Sequence, residues 1–113
     1  MHELSIVMSI IDLAEEQVRT HGAQKVDRID LEIGTLAGIE MDALDFSWEA
    51  AVRETVLDGA ERHVEIIAGR GRCVECGLEF EAADLFTACP ACQAPFTEIL
   101  QGKELRVRSL VVS

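Results

Sequence analysis

The residues of this sequence that are best suited to chemistry are its four cysteines, which fall into two pairs. Cys73 and Cys76 form one Cys-x2-Cys pair, twelve residues follow, and Cys89 and Cys92 form the second pair. In each pair a tight turn lets two thiolates converge on one ion, and four thiolates make the tetrahedral, soft-ligand site that suits zinc. The spacing therefore predicts one structural zinc ion, with no coordination position left for water or substrate.

The same cysteines are compatible with two other kinds of chemistry. Each pair alone looks like a Cys-x-x-Cys redox motif, but neither pair opens a recognisable helix, which favours a shared metal site over two dithiols. Iron held by four thiolates is the main chemical rival of zinc, and the spacing does not distinguish between the two metals.

The first three residues form a second candidate metal site. Met1, His2 and Glu3 combine a terminal amine, a backbone amide, an imidazole and a carboxylate. A histidine in second position allows the amine, its own amide nitrogen and its ring to close fused chelate rings. That nitrogen-rich set favours Ni(II) or Cu(II). By itself the motif is weak, because a chain can begin with Met-His by chance.

Two helices are predicted from the spacing of apolar residues. From Leu4 to Val18 they recur at three- and four-residue steps, which indicates an amphipathic helix that Gly22 closes. A second helix is predicted further along, with Asp42 as its N-cap and Trp48 on its buried side.

Three strands are predicted from a different pattern. Apolar and polar residues alternate over residues 28–33, 63–68 and 105–111, as expected for strands of a sheet with one buried and one exposed face. The predicted fold class is α+β: a small three-stranded sheet packed with two helices, with an inserted zinc-ribbon subdomain between the last two strands.

The cysteine region has glycines at both of its ends, including Gly69 and Gly102, which we interpret as flexible joints around an insertion. The predicted organisation is a discontinuous α/β domain of residues 1–69 and 103–113, and a zinc-binding subdomain of residues 70–102.

The insertion is too short to fold alone. Its 33 residues fall below the roughly 40 that usually fold without a metal or disulfide. Six of its apolar residues are predicted to pack a small core around the metal; they are Leu78, Phe80, Leu85, Phe86, Phe96 and Ile99.

Composition excludes some classes of partner. The 113 residues carry a net charge of −11, which opposes binding to phosphate backbones, so we expect no nucleic-acid partner. The longest uncharged apolar run in the first twenty residues, Leu4 to Ile11, has eight residues, whereas a membrane span needs roughly 20. The first twenty residues do not resemble a signal peptide either, so we expect a cytoplasmic protein with no membrane partner. In that reducing compartment four cysteines are more typical of metal ligands than of disulfides.

The sequence has no set of residues typical of catalysis. It contains no glycine-rich phosphate loop and no Ser/His/Asp or Cys/His set with credible spacing. We therefore expect a protein that is not an enzyme, and any nucleotide hydrolysis must come from a partner.

The motifs occur in a specific order along the whole chain. The initial Met-His-Glu-Leu-Ser is followed by Leu-Glu-Ile-Gly-Thr-Leu-Ala-Gly-Ile-Glu, then by Cys-Val-Glu-Cys-Gly and Cys-Pro-Ala-Cys. This order resembles the HypA/HybF family of nickel-insertion accessory proteins for [NiFe] hydrogenase maturation. In that family a small α/β domain binds nickel at the extreme N-terminus, and two Cys-x-x-Cys pairs hold zinc in an inserted ribbon.

The resemblance implies a metallochaperone with two metals. Ni(II), bound transiently, is implied to have Met1, His2 and Glu3 as ligands, with Glu40 at a family position often occupied by a carboxylate near the nickel. Zn(II), which is structural, is implied to bind the four cysteines. The implied partners are the maturation GTPase HypB, the hydrogenase large-subunit precursor that receives the nickel, and, for some members, urease maturation proteins.

Two alternatives remain at the level of the sequence. One is a zinc-ribbon module that binds other macromolecules and does not transfer nickel. The other is a dithiol oxidoreductase, which requires at least one cysteine pair to cycle without metal.

Overall fold

The structure of the protein is a computed structural model that describes residues 2–113, with His2 described by its backbone alone. It contains two helices and six strands. In chain order these are α1 (His2–Thr20), β1 (Val26–Gly34), α2 (Met41–Ala51), β2 (Glu61–Ile67), β3 (Arg70–Cys73), β4 (Glu79–Glu81), β5 (Thr97–Gln101) and β6 (Leu105–Val112). The predicted α+β fold class is confirmed. Neither helix of residues 2–113 is long and apolar enough to cross a membrane.

The predicted three-stranded sheet has the order β2-β1-β6, so β1 is its central strand. Ile29, Leu31 and Ile33 of β1 are buried, while Asp30 and Glu32 between them are half-buried. The alternation that predicted this strand is thus the alternation between the two faces of the sheet.

Helix α1 begins at His2, two residues before the predicted start at Leu4. Val7 and Ala14 on its apolar side are fully buried. Glu3 lies in the first turn and Arg19 in the last, where the helix dipole favours a negative and a positive charge respectively. The helix therefore includes two of the three predicted N-terminal nickel ligands.

Helix α2 begins at Met41, and its N-cap residue is Glu40. The prediction that Asp42 caps this helix is wrong, because Asp42 lies inside the first turn. The Glu40 side chain makes no capping hydrogen bond. Trp48 is buried, as predicted.

The chain forms two compact units. The first contains the described residues up to Leu31, together with Ile39–Val64 and Val107–Ser113. The second contains Glu32–Gly38 and Glu65–Arg106, and therefore all four cysteines. The division of the sequence at residues 70 and 102 stays a prediction.

The second unit has its own sheet, with the order β4-β3-β5. Strand β3 pairs antiparallel with both neighbours. The hydrophobic core of this unit is small. One of its residues lies in the turn after β1, and the others lie in the cysteine region. The core residues are Leu36, Cys73, Phe80, Ala82 and Cys89, with Ala94 and Ile99 partly buried against them.

Three glycines of the second unit allow their backbones to pack in contact. A Cβ atom on Gly34 would lie 1.8 Å from the carbonyl oxygen of Gly102, and one on Gly102 would lie 2.6 Å from Cα of Gly69. The N–H of Leu36 donates to the same Gly102 oxygen at 2.7 Å. These glycines serve close packing, where the sequence suggested flexible joints.

Candidate metal centres

The four cysteine sulfurs converge, all within 4.8 Å of one another. The sulfur of Cys73 is 3.5 Å from that of Cys92, and the sulfur of Cys76 is 3.7 Å from that of Cys89. A tetrahedron of sulfurs, each about 2.3 Å from a central zinc, has edges of about 3.8 Å. The cluster therefore fits a structural zinc ion. No second group of three or more His, Cys, Asp or Glu side chains in the described chain is arranged to hold a metal.

Two turns with the same hydrogen bonds hold the cysteines in place. In the first turn, the N–H of Cys73 donates to Leu78 O at 2.8 Å, and the N–H of Gly77 donates to Cys73 O at 3.0 Å. In the second turn, the N–H of Cys89 donates to the oxygen five residues later at 3.1 Å, and the N–H of Gln93 donates to Cys89 O at 2.8 Å. Gly77 and Gln93 both have positive φ, 80° and 61°. The paired turns predicted from the spacing are thus similar in detail.

Backbone N–H groups favour the thiolate form of the two buried cysteines. Cys76 N and Glu75 N lie 3.4 Å and 3.3 Å from the sulfur of Cys73, and their N–H groups lower the pKa of that thiol. The N–H groups of Cys92 and Ala91 lower the pKa of Cys89 to about 6. Preformed donors of this kind stabilise the charge that a sulfur needs as a metal ligand.

The exposed cysteines behave differently. The N–H of Ala94 favours the thiolate of Cys92, but hydrogen bonds with Cys73 and Cys89 and partial desolvation outweigh it and raise the pKa of Cys92 to about 12. Four adjacent sulfurs do not all ionise without a cation between them. Zinc, when bound, supplies that positive charge and displaces the remaining protons.

The core around this site differs from the predicted one. Phe80 is buried and Ile99 packs against the core, as predicted. For the other four residues the prediction is wrong, because their side chains are exposed; they are Leu78, Leu85, Phe86 and Phe96. The space is filled by the two buried cysteines, by Ala82 and by Leu36, which sequence reasoning missed. No periodic pattern in the sequence marks Leu36, which lies in the turn after β1.

Near the N-terminus the structure places the Glu3 side chain against the backbone of Glu40. Glu3 is 7% exposed, and its carboxylate accepts a hydrogen bond from the backbone N–H of Glu40 at 3.0 Å. That N–H, followed by the N–H of Glu3 itself, lowers the pKa of Glu3. Met1 and the His2 side chain lie outside the described residues.

Glu3 therefore has a structural role that the sequence analysis did not assign. Glu40 is the N-cap residue of α2, and the carboxylate of Glu3 satisfies its N–H from 37 positions away. A negative charge at this end of a helix is also favoured by the helix dipole. No local signal pointed to this contact, because Asp42, two positions later, looked like an ordinary N-cap residue.

The family model described as "Hydrogenase/urease nickel incorporation, metallochaperone, hypA" matches residues 1–112. Two relatives are named hydrogenase maturation factor HypA. The one from Geobacter metallireducens is 42% identical over 112 residues, which cover 99% of each chain. The one from Parabacteroides distasonis is 43% identical over 112 residues, which cover 99% of this chain and 97% of the relative.

Solved structures are similar over nearly the whole length. The solution structure of the nickel metallochaperone HypA from Helicobacter pylori superposes with a TM-score of 0.68 at 27% identity, and covers 97% of this chain and 96% of its own. A second solution structure of a HypA protein gives a TM-score of 0.71 at 28% identity, and covers 100% and 97%. With its four-cysteine zinc geometry and these full-length similarities, the chain belongs to the HypA family of nickel metallochaperones for hydrogenase maturation.

Proposed function

We propose that this chain takes up Ni(II) at its N-terminus and delivers it to the [NiFe] hydrogenase large-subunit precursor. The proposed ligands are the amine of Met1, the amide and ring of His2, and Glu3, with Glu40 as a candidate further ligand. The observation that carries the proposal is the hydrogen bond between the Glu3 carboxylate and the Glu40 N–H. It supports a site in which both acidic residues lie near the first turn of α1.

The position of α1 suits nickel binding by the backbone. Because the helix begins at His2, the amide of this residue is among the first four N–H groups of the helix. These have no acceptor within the helix. Nickel can therefore replace the proton of this amide without breaking a helical hydrogen bond.

Such a site favours transfer over retention. The amine and the imidazole must lose protons to bind, so nickel affinity falls as pH falls through their pKa range. Exchange of a cation between proteins requires no catalytic turnover, and we propose that the chain is not an enzyme. In this proposal HypB supplies GTP hydrolysis, urease maturation proteins are further candidate partners, and transfer takes place in the cytoplasm.

A zinc-ribbon module without nickel transfer is not favoured, because the family match extends over both units rather than over the cysteine region alone. The net charge of −11 also speaks against a nucleic-acid partner for such a module.

Calorimetric nickel titration tests the site. Untagged, zinc-loaded wild type is compared with His2→Ala and with a form that carries one extra residue before Met1. We expect strong loss of nickel affinity in both, with about one zinc per chain retained. His21→Ala is the matched control, because His21 follows the same helix and its ring Nδ1 contacts Gln17 O at 2.8 Å. Unchanged nickel affinity in His2→Ala would contradict the ligand set.

Delivery requires a separate measurement. The nickel-loaded chain is mixed with the purified large-subunit precursor, with and without HypB and GTP, and nickel in the re-isolated precursor is measured. Transfer no faster than from free Ni(II) at the same concentration would contradict a chaperone role.

A further inference from the structure

The unit that contains the cysteines exposes three large apolar side chains whose backbone segments are neighbours. We call Val74, Phe86 and Phe96 the aromatic surface; their side chains are 59%, 87% and 71% exposed. The N–H of Val74 donates to Phe96 O at 3.4 Å. The Thr97 hydroxyl donates to Thr87 O at 3.1 Å, so the residues that follow the two phenylalanines are also neighbours.

Hydrogen bonds hold the backbone segments that carry these exposed side chains. Phe86 lies in a turn in which its N–H donates to Asp84 Oδ1 at 2.7 Å, and in which the Thr87 hydroxyl contacts the same carboxylate at 3.2 Å. Val74 lies in the first metal-binding turn, and Phe96 directly precedes β5. Binding to segments whose backbone is already held by hydrogen bonds loses little conformational entropy, and aromatic residues, phenylalanine included, are enriched in the cores of protein interfaces.

The charge around the aromatic surface is negative. Two carboxylates lie next to it along the chain: Glu75 follows Val74, and Asp84 accepts the hydrogen bond from the N–H of Phe86. Residues 70–102 contain five acidic and two basic side chains. One of the two, Arg72, is paired with Glu98 at 3.2 Å. Four thiolates around one Zn(II) add further negative charge.

We infer that the aromatic surface is a docking site for a protein segment in which a large apolar side chain is flanked by lysine or arginine. A second copy of this chain does not fit, because it brings the same carboxylates and the same net charge of −11. Nucleic acid is repelled for the same reason. The inference rests on the proposed function only in that a metallochaperone must meet a protein partner.

Photocrosslinking identifies the segment. The photoreactive residue p-benzoylphenylalanine replaces Phe86 in the full chain, in cells that express the hydrogenase maturation proteins, and crosslinked peptides are sequenced by mass spectrometry. Phe46 is the matched control site, because it is 75% exposed on α2 in the other unit. We expect a segment with apolar and basic residues at position 86 and not at 46. An acidic segment, a second copy of this chain, or equal crosslinking at both sites would overturn the inference.

Affinity for a synthetic peptide of that segment tests the contacts. Phe86→Ser combined with Phe96→Ser is expected to weaken binding about thirtyfold or more, as truncation of anchor aromatics does, whereas Phe46→Ser leaves it unchanged. Glu75→Lys is expected to weaken binding more at low salt than at high salt, with Glu49→Lys on α2 as its control. Equal losses in a variant and its control would overturn the inference.

Nickel titration of the same variants keeps the two hypotheses apart. We expect zinc content and nickel affinity to be unchanged in the double serine variant. A wild type that binds the peptide but not nickel would contradict the proposed function alone. A wild type that binds nickel while the double serine variant keeps full peptide affinity would contradict the docking site alone.

Discussion

The carboxylate of Glu3 has two roles, one in the structure and one in the proposed nickel site. Its hydrogen bond from the Glu40 N–H satisfies a donor at the start of α2, and in the proposed nickel site the same group is a ligand. A carboxylate has two oxygens, so one can accept the N–H while the other approaches a cation. The two roles can be separated by changing the charge without removing the acceptor.

Two substitutions at Glu3 make that separation. Glu3→Gln keeps an oxygen acceptor and loses only the charge, so it is expected to retain most of the thermal stability. It is expected to lower nickel affinity, because an amide is a poorer ligand than a carboxylate. Glu3→Ala leaves the Glu40 N–H without its acceptor and is expected to lower Tm by a few degrees. Differential scanning calorimetry and nickel titration provide the measurements. Equal Tm values for the two variants would show that the hydrogen bond is not structural.

Asp30 makes the stability of the first unit sensitive to acid. Arg28 donates to its carboxylate at 2.9 Å and 3.1 Å, Ser109 donates at 2.9 Å, and these groups, the Arg28 guanidinium first, lower the pKa of Asp30 to about 2. The unfolded chain, with an ordinary Asp pKa near 3.9, therefore binds this proton more readily than the folded chain. The contribution is fully present above about pH 4 and is lost as pH falls toward 2.

Asp30→Asn should remove that dependence. The urea midpoint of wild type is expected to fall more between pH 5 and pH 3 than the midpoint of the variant. Fluorescence of Trp48, the single tryptophan, reports on the first unit and not on the zinc site. Asp12→Asn, on the exposed side of α1, is the control. Parallel pH curves for wild type and Asp30→Asn would refute the assignment.

At the scale of elements, the two cysteine turns are the same structure built from different sequences. In each turn, the residue four positions after the first cysteine lies in the left-handed region of backbone conformation. Gly77 adopts this conformation without strain, whereas Gln93, at φ 61°, is strained. For a residue other than glycine this conformation costs the folded protein roughly 1–2 kcal/mol. Such a residue also lowers the conformational entropy of the unfolded chain, which stabilises the folded protein by roughly 0.4–1 kcal/mol.

Exchange of the two residues tests this balance. Gly77→Gln is expected to lower the free energy of unfolding of the zinc-loaded protein by about 1 kcal/mol, and Gln93→Gly is expected to raise it by a similar amount. Urea unfolding at saturating zinc is the measurement. Changes of the same sign in both variants would show that φ does not control the stability of these turns.

The elements were predictable where one pattern determines them. Periodicity alone located α1, β1, β2 and β6. The expected buried face is present in α1 and β1, but for β2 and β6 that part of the prediction is wrong, because their apolar residues are half-buried or exposed. The spacing of the cysteines was sufficient for the zinc geometry. The start of α2 was not predictable from local sequence, because the N–H of its N-cap residue Glu40 donates to Glu3, 37 positions away. The hydrophobic core around the cysteines was not predictable either, because Leu36 packs into it from a turn outside the predicted insertion.

At the scale of the whole molecule, the negative net charge is consistent with the binding of metal cations. A net charge of −11 raises the local concentration of cations and keeps copies of the chain apart. It also favours partners with basic surfaces. The same charge serves the proposed uptake of Ni(II) and the proposed docking of a basic segment.

Zinc removal reveals where the boundary of the zinc-dependent region lies. Leu36 shares a core with Cys73, Cys89 and Phe80. The amides of residues 34–36 donate to Glu104 O, Ile67 O and Gly102 O at 2.7, 2.9 and 2.7 Å. If the boundaries at 70 and 102 are the physical ones, these three amides keep their protection from hydrogen exchange after chelation of zinc. If the zinc core includes Leu36, they lose protection together with β3, β4 and β5.

We expect the second outcome, because loss of the metal leaves a core of few residues that cannot stay folded alone. Hydrogen exchange measured by mass spectrometry, with and without chelator, distinguishes the two cases. Amides of α1 and α2 serve as the internal control, since their buried residues, such as Val7 and Leu44, lie in the first unit. Protection retained at residues 34–36 would mean that the zinc-binding subdomain is limited to residues 70–102, and that Leu36 only borders it.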